Sequence, residues 1–99
     1  MPAPAPHSTT EDHAKLPRSD QRTLAALFQH PTPHSLAFSD VLALFNRIGS
    51  AEQKHNAEIE LQVEGHKHMM RRPHDKHLST NDVVALRHFL AQTSWAPAE

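Results

Sequence analysis

Residues 58–72 read EIELQVEGHKHMMRR, and this stretch decides the fold. Three aliphatic residues alternate with polar ones, and they are Ile59, Leu61 and Val63. This period of two predicts a strand with one buried face and one solvated face. Glu64-Gly65 then predicts a tight turn, and residues 66–72 predict the returning strand, which Pro73 ends. Residues 51–55 predict a weaker edge strand before the hairpin.

Helical periodicity flanks this sheet on both sides. Before it, Ser39 is a predicted N-cap, apolar residues recur every three or four positions to Ile48, and Gly49 is placed to end the helix as its C′ residue. After it, Ser79 and Asp82 have the spacing of a capping box at the start of a last helix. We therefore predict a two-layer α+β domain of α-β-β-β-α order, with both helices on the apolar face of the sheet.

The N-terminal third carries less pattern. Residues 1–20 are rich in Pro and Ala and nearly lack large apolar residues, which predicts a disordered tail. Residues 21–35 contain Thr23–Gln29, a predicted short accessory helix that the prolines after it end. The α+β domain itself is assigned to residues 36–95.

Composition excludes several classes of protein. The 99 residues include no cysteine, so neither disulfides nor a thiolate metal site is expected. No apolar run reaches the roughly 20 residues that span a bilayer, and no secretory signal pattern is present, so a cytoplasmic protein is expected. The net charge of −1 is not the uniformly basic balance that by itself would indicate nucleic-acid binding.

Ten histidines are the unusual feature of the composition. His66 and His68 are two apart on a predicted strand and should share one face of the sheet. His74 and His77 lie just beyond this strand, so a two- or three-histidine metal site is a geometrically possible alternative. No carboxylate lies at a matching spacing and no zinc pattern is recognisable, so we assign no metal ligand and expect no cofactor. The simpler interpretation is that these histidines are exposed polar side chains.

The segment 66–77 concentrates positive charge. It contains a single acid, Asp75, and four cations, which are Lys67, Arg71, Arg72 and Lys76. A basic strand that leads into a helix N-terminus can hold phosphates. The alternative is a solvated edge strand whose cations discourage aggregation. The acidic alternation of residues 58–64 indicates that RNA would lie at the edge of the sheet rather than across its open face.

Pro73-His74-Asp75-Lys76-His77-Leu78, followed by the capped helix, resembles the HicA family of bacterial toxins. The resemblance covers residues 38–95 and includes the helix that ends at Gly49. It implies a double-stranded-RNA-binding-domain-like (dsRBD-like) fold, ribonuclease activity on mRNA and inhibition by a HicB-like antitoxin. The Gly-Ser pair that precedes the family's catalytic histidine is missing, and the corresponding region reads Lys54-His55-Asn56-Ala57-Glu58-Ile59.

The resemblance thus implies an RNA-binding domain that can retain metal-independent ribonuclease activity. The candidate catalytic residues are His55 and His74. The candidate RNA-binding residues are Lys54, Lys67, Arg71, Arg72 and Lys76. The alternative function is a non-catalytic protein interaction module on the same fold, which the missing histidine and the acidic strand favour.

Overall fold

The structure, a computed structural model, describes residues 15–29, 32–33 and 35–96. Its elements are α1 (Arg18–Leu27), α2 (Phe38–Ile48), β1 (Ser50–Gln53), β2 (Glu58–Val63), β3 (His66–Arg71) and α3 (Thr80–Leu90). This order confirms the predicted α+β fold of α-β-β-β-α type with an added N-terminal helix. The predicted disorder of residues 1–14 lies outside the described residues. None of the described helices is long and apolar enough to cross a membrane.

The three strands form one antiparallel sheet in the order β1-β2-β3. Leu61 at its centre lies opposite Ala51 on β1 and His68 on β3. The apolar side chains of β2 are buried against the helices, whereas its polar side chains form an open face. Both hairpin turns contain two successive residues with positive φ, Asn56-Ala57 and Glu64-Gly65. Such turns match the right-handed twist of paired strands.

The start of α2 differs from the prediction. The helix begins at Phe38 with Ala37 as N-cap, and no side chain caps it, so the assignment of Ser39 as N-cap is wrong. A tertiary contact replaces the cap, because the Phe38 N–H donates to the Lys76 carbonyl at 2.8 Å. One of the N–H groups that the first turn of a helix leaves without a partner is thereby paired with backbone from another part of the chain.

Gly49 does end α2, but as the C-cap rather than as the predicted C′ residue. Its φ of −169° is extended backbone. Glycine is required because a Cβ atom at this position would lie 1.9 Å from the Gln62 carbonyl oxygen. The turn from α2 into β1 therefore passes directly against the backbone of β2.

The accessory helix α1 starts at Arg18, five residues before the predicted start, and includes residues that we assigned to the tail. Buried contacts explain the difference. Leu16 is part of the core, and the buried Asp20 carboxylate pairs with the Arg47 guanidinium of α2 at 2.8 Å. At its other end, the Arg87 guanidinium of α3 donates to the Leu27 carbonyl at 2.8 Å. α1 is thus bound to α2 and to α3.

The last helix agrees with the prediction. Ser79 and Asp82 form a complete capping box, in which each side chain accepts from the backbone N–H of the other. Trp95 after this helix is partly buried and packs against the core. The chain after α3 is also tied to the β2–β3 turn, because the Glu64 carboxylate accepts from the Ser94 N–H at 2.9 Å.

Candidate functional site

The segment between β3 and α3 forms a loop at one end of the sheet, and we call residues 73–77 the histidine loop. Its backbone is held against the chain that enters α2: Ala37 and His77 form an antiparallel bridge. The Leu78 N–H donates to the Leu36 carbonyl at 2.9 Å, and the Lys76 carbonyl accepts from Phe38. These contacts fix the C-terminal side of the loop, residues 76–78, so the exposed side chains there project from a defined backbone.

The structure brings four of the predicted site residues to this end of the sheet. Arg71 ends β3, and Arg72, His74 and Lys76 follow in or beside the histidine loop, all of them exposed. The β1–β2 turn that contains His55 lies beside them, because the Arg72 N–H donates to the Ala57 carbonyl at 2.8 Å. The β1–β2 turn and the start of the histidine loop are therefore in direct backbone contact.

Arg72 is held in place more firmly than its exposure suggests. Its guanidinium carbon lies over the Phe38 ring, 5.4 Å from the centroid. Its Nη2 atom donates to Oε1 of Gln53 on β1 at 2.7 Å. A guanidinium has five N–H donors and two planar faces, so donors remain for a ligand after these contacts.

Two of the predicted RNA-binding residues do not belong to this group. Lys54 Nζ lies 3.4 Å from Glu52 and 3.3 Å from Glu60, and Lys67 Nζ lies 3.8 Å from Glu60. All of these side chains are on the open face of the sheet. The hydrogen bond with Glu60, and then that with Glu52, raises the pKa of Lys54. The charges of both lysines are therefore offset by glutamates.

Two shallow hollows adjoin the histidine loop. The α2 hollow has a volume of about 530 Å³, and its lining residues are Ala37, Phe38, Ser39, Arg72, Pro73, His74, Asp75, Lys76 and His77. The α3 hollow has a volume of about 490 Å³, and its lining residues are Arg71, Arg72, Pro73, His74, Asp75, His77, Leu78, Ser79 and Asp82. The α2 hollow has two permanent cations, Arg72 and Lys76, and one carboxylate, Asp75. The α3 hollow has two permanent cations and two carboxylates. The α2 hollow is the better environment for an anion.

The strand histidines are not part of the histidine loop. His66 and His68 share one face of the sheet, as predicted, and it is the face that meets the helices, since they lie opposite Val63 and Leu61. The half-buried His68 ring stacks on Phe89 of α3, with 5.3 Å between the ring centroids. Desolvation lowers the pKa of His68, and the charge of Asp82 partly opposes this. Among the described residues, no group of three His, Asp or Glu side chains is arranged to hold a metal ion.

Sequence reasoning missed three residues of the site. Phe38 and Gln53 support Arg72 but lie on other elements, and no local pattern connects them with it. His77 lines both hollows, and its Nδ1 atom lies 3.9 Å from Oδ1 of Asp75. Its position in the same basic segment as His74 was the available signal.

In comparisons with known proteins, no family model, curated protein or solved structure matches the chain.

Proposed function

We propose that this chain binds RNA through the histidine loop and the adjoining end of β3. The observation that carries the proposal is the exposed group of Arg71, Arg72 and Lys76 beside a hollow in which cations outnumber carboxylates. Cations of this kind bind phosphates, and arginine does so with a planar fork that matches phosphate geometry. The resemblance to HicA toxins supports the same function from the sequence.

Apart from Arg71, which lies opposite Glu58 at its end, the open face of the sheet does not support RNA binding. Its two lysines are paired with glutamates, and a nucleic-acid backbone placed there would have to disrupt those pairs. Binding confined to one end of the sheet agrees with a chain whose net charge is −1. The glutamates of the open face then also limit non-specific contacts with nucleic acid.

The test is fluorescence anisotropy of a labelled RNA, titrated with the full chain over a range of salt concentrations. The site variant is Arg71→Ala/Lys76→Ala, and the matched control is Lys54→Ala/Lys67→Ala, which removes the same charge from the open face. We expect the site variant to weaken binding and to reduce the salt slope by about 0.7 for each lost phosphate contact on single strands. The control should leave the slope unchanged.

Two results would contradict the proposal. One is the absence of binding at low salt, even near pH 6, where histidines add positive charge. The other is an equal loss of affinity in the control, because binding would then depend on total charge rather than on this surface. Circular dichroism spectra of both variants establish that each is folded.

A second candidate function is metal-independent cleavage of the bound mRNA, with His55 and His74 as the acid–base groups. The hydrogen bond between Arg72 and Ala57 favours it, since this contact places the His55 turn at the same end as His74. Histidine suits proton transfer near neutral pH. Cleavage of labelled RNA in the presence of a chelator tests the idea. Equal cleavage by the wild type and by His55→Ala and His74→Ala variants would rule out these two histidines.

The same surface is where a HicB-like antitoxin would act if the resemblance extends to regulation. Such a partner would cover the histidine loop and compete with RNA. Expression of the chain in bacteria, with and without His55→Ala, tests toxicity directly. Normal growth with soluble, folded protein would refute an active toxin while leaving RNA binding to be decided by anisotropy.

A further inference from the structure

We infer that the α2 hollow is a subsite for one unpaired nucleotide, so that the RNA held there is single-stranded. This inference rests on the proposed RNA binding and specifies the form of RNA that the site accepts. The volume of about 530 Å³ lies within the range of small-ligand pockets, about 300–1,000 Å³. A space of this size suits one nucleotide and is too small for a segment of double helix.

The lining of the hollow matches the two parts of a nucleotide. Carbon-rich groups of Ala37, Phe38 and Pro73 form one part of its surface. Arg72 and Lys76 provide the cationic part, beside the single carboxylate of Asp75. Single-stranded nucleic acid is bound by this combination, in which planar groups stack on bases and cations contact phosphates. The second permanent cation of the hollow, Lys76, is exposed and suited to the phosphate.

Arg72 supplies the stacking surface. Its guanidinium carbon lies over the buried Phe38 ring, 5.4 Å from the ring centroid, and the Nη2 atom donates to Gln53. Arg72 is exposed and lines the hollow, so its planar group is accessible to a ligand there. Bases of unpaired RNA stack on arginine planes as well as on aromatic rings. A base in the hollow would then stack on a guanidinium that Phe38 and Gln53 already hold in place.

A duplex is a poor ligand for the same surface. Recognition of double-stranded RNA by a small domain extends over about 16 base pairs and needs cations spaced along that length. Beside the histidine loop, the sheet instead presents Glu52, Glu58 and Glu60 on its open face, where Lys54 is already paired. A rigid duplex that reached the hollow would bring further phosphates close to these carboxylates.

The experiment compares two RNAs of one sequence with the wild-type chain: a single strand of about 16 nucleotides and its blunt duplex. Anisotropy at one low salt concentration gives both affinities. We expect the single strand to bind about tenfold more tightly than the duplex. A fluorescent adenine analogue in the single strand should also be quenched on binding, because its base stacks. Arg72→Lys, which keeps the charge but loses the plane, should reduce that quenching, whereas Arg71→Lys should not.

Each outcome decides a different point. Equal or tighter binding of the duplex overturns the single-nucleotide subsite and leaves the proposed RNA binding intact. Binding of neither RNA overturns both. Single-strand binding without any quenching, at every position of the analogue, refutes base stacking in the hollow. The comparison of strand and duplex uses the unaltered chain, so it remains decisive even if Arg72→Lys fails to fold.

Discussion

Gly49→Ala is the substitution that most directly tests the packing of α2 against the sheet. The new Cβ atom would lie 1.9 Å from the Gln62 carbonyl oxygen and 3.1 Å from the Val63 Cα atom. Carbon–oxygen contacts need about 3.3 Å, so the two backbones would have to part by more than about 1 Å. Overpacking costs about 1–3 kcal/mol where side chains can adjust. Here the obstacle is backbone, and we expect a loss of about 3 kcal/mol or more.

The chain's other glycine provides the matched control. Gly65 has a φ of 85°, and a Cβ atom there would meet nothing within 4 Å. Gly65→Ala should therefore cost only the left-handed penalty, about 1–2 kcal/mol, partly offset by the lower entropy of the unfolded chain. At about 4–8 °C per kcal/mol, thermal unfolding should show a drop of at least about 12 °C for Gly49→Ala and much less for the control. A Gly49→Ala drop no larger than the Gly65→Ala drop would refute the close-approach argument.

Three further predictions concern stability. Ala57→Gly should raise the free energy of unfolding by about 0.5–1 kcal/mol, because Ala57 has a φ of 63°; a lower urea midpoint would contradict this. Arg47→Ala should destabilise the chain more than Asp20→Ala, because it leaves a buried carboxylate without its cation, whereas the half-exposed arginine can be hydrated; urea midpoints in the reverse order would count against it. Burial lowers the pKa of His68, so the unfolded state binds a proton before the folded state does, and the free energy of unfolding should fall as the pH drops from about 6.5 through the folded pKa. His68→Leu should reduce this loss of stability, measured by urea unfolding at both ends of the pH range. An unchanged loss would exclude His68 as its source.

The candidate site was predictable to the extent that it is local in sequence. Arg71, Arg72, His74 and Lys76 lie within six positions, so any fold that exposes this segment brings them together. The other predicted cations depended on strand register. Glu60 lies opposite Met69, and its carboxylate reaches both Lys54 and Lys67, which removes these two from the group. A sequence pattern assigns charge to a segment but does not state which charges are paired.

Local patterns in the sequence are enough to predict the order of elements, the buried face of the sheet and the start of α3. Strand alternation and the Ser79 capping box involve residues only two or three positions apart, so no long-range contact is needed to recognise them. Long-range packing, by contrast, explains where α2 begins, why Gly49 is glycine and what supports Arg72. The Lys76 carbonyl, the Gln62 carbonyl and the Phe38 ring come from distant parts of the chain. Such contacts exist only after the helices have packed on the sheet, and for that reason no local pattern reveals them.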